Sequence, residues 1–411
     1  MLSIILMTAA CMVSMFCYRG NQIRQITCYS CIYLLALTAM KNMDFSFTIY
    51  FFFVMLSFMP IKRVLLFTVL YALYMGFYSV TGLMYQEFWT TASVLLTRYG
   101  FLFFGLLFVT KQNENGCFFI TEGMFIVKCI TFTEVLLAVY LLLYGDMENR
   151  LAINNQAIGG SLSVGLIPLL CSLYFENPKW WSKNRMYFYL AINLIVIILS
   201  GTRGYMVMAA LTLIPIGFAW MQKRKNKGIL ILGILFAVIL FVCSSDIRNE
   251  FISLLRLKES VGYRVYENRF IKEIFAISPW FFRIFGFGLG GRAEHLEGYY
   301  AVLTEAASGK DWMVHKLMTE STVHNYWYMI LFKQGILGVI LCGIAFLILL
   351  SQILKTCQTS KWTGGTLILM FIGVLISLTF RISATCGVWE TMMMLWISDK
   401  RGMTDELYIS D

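Results

Sequence analysis

Charge is scarce in this 411-residue chain: 14% of residues are charged against 59% apolar. Soluble globular domains carry about 25% charged side chains, so a soluble fold would leave apolar surface uncovered. A mean hydropathy of +0.72 agrees. Histidine is scarcer still, with only His295, His315 and His324. The chain has no P-loop, no H-E-x-x-H, no D-x-D triplet and no G-x-S-x-G. That removes support for metal-dependent or nucleotide-sugar-dependent chemistry. No period of 20–50 residues repeats, which argues against a solenoid.

Cysteine is missing between Cys243 and His324, so the one long charged stretch has no disulfide framework. Most of the eleven cysteines, such as Cys11, Cys129, Cys171 and Cys342, lie inside apolar runs. Cys28 and Cys31 form a C-x-x-C without a partner pair or nearby histidine, and read as packed thiols rather than a metal or redox site. The N-terminus is apolar at once, with no basic n-region and no small-residue cleavage site, which predicts a retained first helix. The net charge of +10 reads as lysine and arginine collected in cytoplasmic loops beside anionic lipid. No nucleic-acid partner is expected.

What is abundant is long apolar sequence. A membrane span needs about 20 such residues, and candidates fall near 1–18, 25–40, 44–60, 63–80, 93–110, 124–144, 157–175, 186–200, 203–220, 228–244, 323–350, 363–380 and 386–398. The expected fold is all-α, a polytopic membrane protein of about 12–13 transmembrane helices with one long, partly helical extracytoplasmic loop. Its expected divisions are a bundle over 1–244 (about ten helices), the loop over 245–322, C-terminal helices over 323–398 and a cytoplasmic tail over 399–411. Orientation follows the bias of lysine and arginine toward cytoplasmic loops. Gln222 to Lys227 is the clearest marker, and Asn177 to Arg185, Lys62-Arg63 and Arg19/Arg24 fall on the same side. The segment after 228–244 then emerges on the outer face, so the long charged loop is extracytoplasmic.

That segment, Ser244 to Asn325, holds nearly half of the chain's acids: Asp246 to Glu320 carries ten of the 23, with ten Lys/Arg. Arg256 to Phe275 mixes charge with apolar residues at helical spacing; Tyr263, Tyr266, Phe270, Ile274 and Phe275 approximate one stripe that suits a helix against the membrane domain. Ser278-Pro279 stops it. Phe285 to Gly291 (FGFGLGG) predicts a flexible turn. It satisfies G-x-G-x-x-G formally, but lacks the strand and βαβ unit that a dinucleotide site needs. Its glycines read as backbone permissiveness.

Three groups of residues can carry chemistry. Arg203, in Ser200-Gly201-Thr202-Arg203-Gly204, interrupts otherwise apolar sequence; it either snorkels to headgroups at a turn or offers its planar fork to phosphate oxygens. Arg264 lies among Arg256, Lys258, Arg269 and Lys272, a solvated face one by one but together with Arg203 a cationic patch for a diphosphate. His324-Asn325 opens an apolar run; a lone histidine is usually structural, yet its ordinary pKa of about 6.5 suits a general base.

Taken in order, SGTRG at Arg203, Arg264 followed by Ser278-Pro279 and GFGLGG, and His324-Asn325 followed by Gly335 and Gly338 resemble the O-antigen ligase and O-antigen polymerase superfamily of polytopic membrane glycosyltransferases. The resemblance spans about 185–350. It departs at Thr202, where the family has Ser, and at Ser278-Pro279, where it has His-Pro, so Arg269 and Arg283 compete with Arg264 for the family's loop arginine. It implies a metal-independent, cofactor-free, inverting transfer of glycan from an undecaprenyl-diphosphate-linked oligosaccharide to a sugar hydroxyl. Arg203 and Arg264 would clamp the diphosphate with Arg269 and Asn325 assisting, and His324 would take the proton. Glu305, Asp311 and Glu320 are alternative bases. Implied partners are membrane lipids, a flippase and a chain-length regulator. A surface-polysaccharide polymerase is the leading expectation and an O-antigen ligase acting on lipid A-core the alternative. A non-enzymatic transporter or flippase, or a scaffold, remains the other class, though no two-fold hydropathy symmetry supports a transporter.

Overall fold

The computed structural model describes residues 2–39, 119–144, 160–176, 182–223, 257–288, 325–359 and 361–379, with isolated positions between 49 and 57, at 73, between 152 and 157 and between 390 and 397. The described chain is helical: α1 (Leu2–Cys17), α2 (Gln22–Ala39), α3 (Phe119–Tyr144), α4 (Ser161–Glu176), α5 (Lys183–Leu199), α6 (Arg203–Lys223), α7 (Leu257–Ile277), α8 (Trp280–Phe285), α9 (Tyr326–Thr359) and α10 (Lys361–Thr379). A two-residue antiparallel ladder, Ala152–Ile153 with Gln156–Ala157, lies between α3 and α4. Glu122–Tyr144, Tyr326–Lys355 and Lys361–Leu378 are long and apolar enough to cross a membrane, while Ser3–Cys17, Ser161–Phe175 and Gly204–Phe218 are shorter apolar helices. The chain is an all-α polytopic membrane protein. Apart from Leu73, the expected spans near 63–80, 93–110 and 228–244 lie outside the described residues.

Contacts fix how the rods run. Gly123 of α3 faces Leu169 and Leu173 of α4, while Glu134 meets Gly160 at the other end, so α3 and α4 are antiparallel. On α6 and α10, Gly204 lies against Ser377, Gly373 against Met208, and Thr212 donates to Met370 Sδ at 3.3 Å. Phe175 stacks on Trp362 at 5.5 Å. One level of the bundle therefore gathers Glu134 of α3, the start of α4, the α5–α6 turn and the close of α10. The opposite end holds Arg24, Lys183 and Arg185, basic markers the sequence had grouped together, and Lys361 beside them. Arg24 Nε donates to Glu122 Oε2 there at 2.8 Å and Asn21 Nδ2 to Oε1 at 2.8 Å, tying α2 to α3.

The apolar run expected as one span at 323–350 forms two helical limbs. Gly335 has φ 64° and ψ −161°, outside the helical region. Trp327 and Phe346 are 19 residues apart, about 28 Å along a straight helix at 1.5 Å per residue, yet their rings meet at 5.5 Å. Ile330 and Gln334 likewise press on Gly338. The limbs 326–334 and 336–359 thus fold back on each other with Gly335 at the tip. A glycine is required, because that φ/ψ pair is closed to side chains. The second limb is still long enough to cross a bilayer and packs antiparallel to α10, with Phe346 against Phe371 at 5.9 Å.

Candidate active site

Arg203 opens α6 immediately after a tight turn. Ser200 closes α5, fully buried, with its N–H donating to Val196 O at 2.9 Å. Gly201 takes φ 62°, and Ser200 Oγ then accepts Thr202 N–H at 3.2 Å while donating to Ile197 O at 2.7 Å. The hydroxyl thus holds the two residues before Arg203. Arg203 follows directly on the turn between α5 and α6, which fits the turn reading of its position.

Arg264 lies in α7, which runs to Ile277 and ends at Ser278-Pro279 as the sequence predicts. The buried stripe is Glu267, Phe270, Ile271 and Ile274. Phe270 and Ile274 were expected there; Phe275 is only partly buried, and Glu267, wholly buried, was not foreseen. Arg269 is exposed and its Nε donates to Glu273 Oε1 at 2.6 Å, an i,i+4 surface pair worth only about 0.3–0.5 kcal/mol. Arg283 is committed elsewhere. Its Nε donates to Ser278 O at 2.8 Å and its Nη2 to Ala276 O, covering carbonyls that the end of α7 leaves without helical partners.

The glycine turn is pinned rather than flexible over its described part. Gly286 (φ 75°) and Gly288 (φ 85°) flank Phe287. Phe287 N–H donates to Phe332 O at 2.9 Å and Gly288 N–H to Lys333 O at 3.0 Å. These carbonyls belong to the last turn of the limb 326–334, just before the backbone leaves helical geometry at Gly335. A Cβ on Gly286 would collide with the Lys333–Gln334 backbone, and one on Gly335 with Ile284 and Gly286. Aromatic rings seal the contact: Phe282 stacks on Phe287 at 4.9 Å, Phe287 meets Phe332 at 5.0 Å, and Phe332 meets Phe270 at 6.5 Å. Lys333 and Gln334, 3% and 2% exposed, lie at this junction. The loop arm and the folded-back limb are one packed unit.

Asn325 begins that limb. Its Oδ1 accepts Trp327 N–H at 3.0 Å and Tyr328 N–H at 3.3 Å, an N-cap in a buried setting. Through Trp327, Phe346 and Phe371 it shares a level with α10 six residues before Ser377, about 9 Å below the Gly204 contact at 1.5 Å per residue. Asn325 is buried, so the limb starts against its neighbours rather than in open solvent. His324, Glu305, Asp311 and Glu320 lie outside the described residues. Among the described residues, no group of three or more His, Cys, Asp or Glu side chains could hold a metal ion.

Sequence reasoning passed over a polar knot beside Arg203. Glu134 of α3, wholly buried, accepts three backbone N–H groups at the start of α4: Gly160 at 2.8 Å, Leu162 at 2.7 Å and Ser163 at 3.1 Å. Ser163 Oγ donates to Asn193 Oδ1 at 2.7 Å, and Asn193 Nδ2 donates to Thr131 Oγ1 at 2.8 Å. A carboxylate inside an apolar span was the available signal.

No curated protein matches the chain. The family model described as O-antigen ligase matches residues 188–343, over a third of the chain. That interval contains most of α5, all of α6, α7 and α8, and the limb that begins at Asn325. Over that interval the chain is similar to the O-antigen ligase family, a likeness that supports a membrane protein of the O-antigen ligase-like superfamily.

Proposed function

We propose that the protein is a surface-polysaccharide polymerase of the bacterial inner membrane, joining repeat units of an O-antigen, capsule or exopolysaccharide on its outer face. The observation that carries this reading is the union of loop and bundle. The arm bearing Arg264 is hydrogen-bonded through Phe287 and Gly288 to the limb that Asn325 caps, while Arg203 begins α6, which packs on α10.

In the proposed reaction a hydroxyl oxygen of the acceptor sugar attacks the anomeric carbon of an undecaprenyl-diphosphate-linked oligosaccharide. The new C–O glycosidic bond forms as the bond from that carbon to the phosphate oxygen breaks, with inversion. His324 takes the hydroxyl proton. Undecaprenyl diphosphate leaves with the electron pair, its charge met by Arg203 and Arg264, which need only be aimed at oxygens already anionic. The donor brings its own good leaving group, so this scheme asks for cations and a base. Transfer to lipid A-core by the same chemistry, as an O-antigen ligase, is the second reading, because the matched family description names that activity.

Arg203→Ala, Arg264→Ala and His324→Ala test the reading in cells carrying the deleted gene. Each is expected to abolish long-chain surface glycan while protein level in the membrane holds. Single repeats left attached indicate a polymerase; complete loss of attached glycan indicates a ligase. Unchanged glycan in all three variants refutes the glycosyltransferase reading.

A further inference from the structure

We infer that Glu134 is a positioning residue for Arg203, acting through the start of α4 on the turn between α5 and α6; the inference rests on the reading of Arg203 as a diphosphate-binding residue. The chain of contacts is short. Both Glu134 oxygens are used, Oε2 by Gly160 N–H and Oε1 by Leu162 and Ser163 N–H. Gly160, at φ 84°, is pressed so closely on α5 that a Cβ there would lie 3.1 Å from Ser200 Cβ and 3.2 Å from Ser200 Oγ. Ser200 Oγ in turn holds Thr202 N–H, and the next residue is Arg203.

The same carboxylate has a second hold on α5. Ser163, whose N–H it accepts, passes its hydroxyl to Asn193, one helical stretch before Ser200. Asn193 closes the circuit by donating to Thr131, one turn before Glu134 on α3. Three helices are thus referenced to one acid at the level of the turn that precedes Arg203. A carboxylate at a helix start is also favoured by the helix dipole. Glutamine keeps one acceptor oxygen but turns an N–H₂ toward a backbone donor, so either Gly160 or the Leu162–Ser163 pair loses its partner.

The test is binding of undecaprenyl diphosphate to the full-length protein in lipid nanodiscs, with Arg203→Ala, Glu134→Gln and the double variant. The expected result is weakening of about tenfold for Glu134→Gln, with the double variant no weaker than Arg203→Ala alone, the mark of two residues acting as a unit. A purely structural role would lower binding in both backgrounds equally, and that additive result, or unchanged binding in Glu134→Gln, overturns the inference. Should Glu134→Gln fail to fold, Gly160→Ala presses on Ser200 from the same side and decides by the same criteria. If Arg203→Ala binds the lipid as tightly as the parent, the functional reading falls and this inference with it.

Discussion

Replacing Gly335 by alanine should open the folded-back limb. The residue holds φ 64° and ψ −161°, and forcing a side chain into such a region costs about 1–3 kcal/mol. The added methyl would also overlap the Ile284 carbonyl and the Gly286 nitrogen, driving the arm off the tip. The bonds from Phe287 to Phe332 O and from Gly288 to Lys333 O would then break, each stranding buried polar groups at about 1–3 kcal/mol. The total, about 3–9 kcal/mol, is comparable with the whole stability of many domains, about 5–15 kcal/mol. The assay pairs Trp327→Cys with Phe346→Cys and measures cross-linking by a short bifunctional thiol reagent. The rings now in contact at 5.5 Å would stand about 28 Å apart on a continuous helix. Efficient cross-linking with Gly335 present and its loss in Gly335→Ala is the expected pair of results. No cross-link in the first case, or full retention in the second, would refute the fold-back and the role assigned to the glycine.

Two further outcomes are expected. Asn325→Ala should lower thermal stability in detergent by an amount equivalent to about 0.5–2 kcal/mol, the worth of an N-cap; Asn325→Ser should restore that stability, and restoring glycan synthesis as well would assign Asn325 to capping rather than substrate contact. Arg24→Ala leaves Glu122, 5% exposed, with Asn21 as its remaining partner, so a loss of about 1–3 kcal/mol should appear in melting temperature while surface glycan per folded molecule stays unchanged.

Hydropathy alone located α1 to α6 and α10 wherever they are described, because apolar length is what a membrane selects. It marked the end of α7 equally well, since Pro279 forbids the helix to continue. It did not find the fold-back, because Lys333-Gln334-Gly335 is too short a polar interval to split an apolar run of this length. The reversal depends on Phe287 and Gly288, remote in sequence, reaching the carbonyls of the limb. Hydropathy also concealed Glu134, Asn193 and Thr131: averaged over a span they vanish, yet together they set how three helices meet. Of the residues nominated for the site, Arg203 and Arg264 lie on α6 and α7 and Asn325 caps the limb 326–334, whereas Arg269 is engaged at the surface by Glu273.

The pinning of the limb by the glycine turn bears on how the protein is made. Residues 326–355 are long and apolar enough to insert as one continuous span, and a chain emerging from the ribosome offers its N-terminal parts first. The arm containing Phe287 and Gly288 is therefore synthesised before the carbonyls of Phe332 and Lys333 exist. Its donors are waiting when the limb is born, and capture by them competes with straightening. Order of synthesis thus favours the bent form, and moving the arm behind α10 by circular permutation would remove that advantage without altering a single contact of the finished fold.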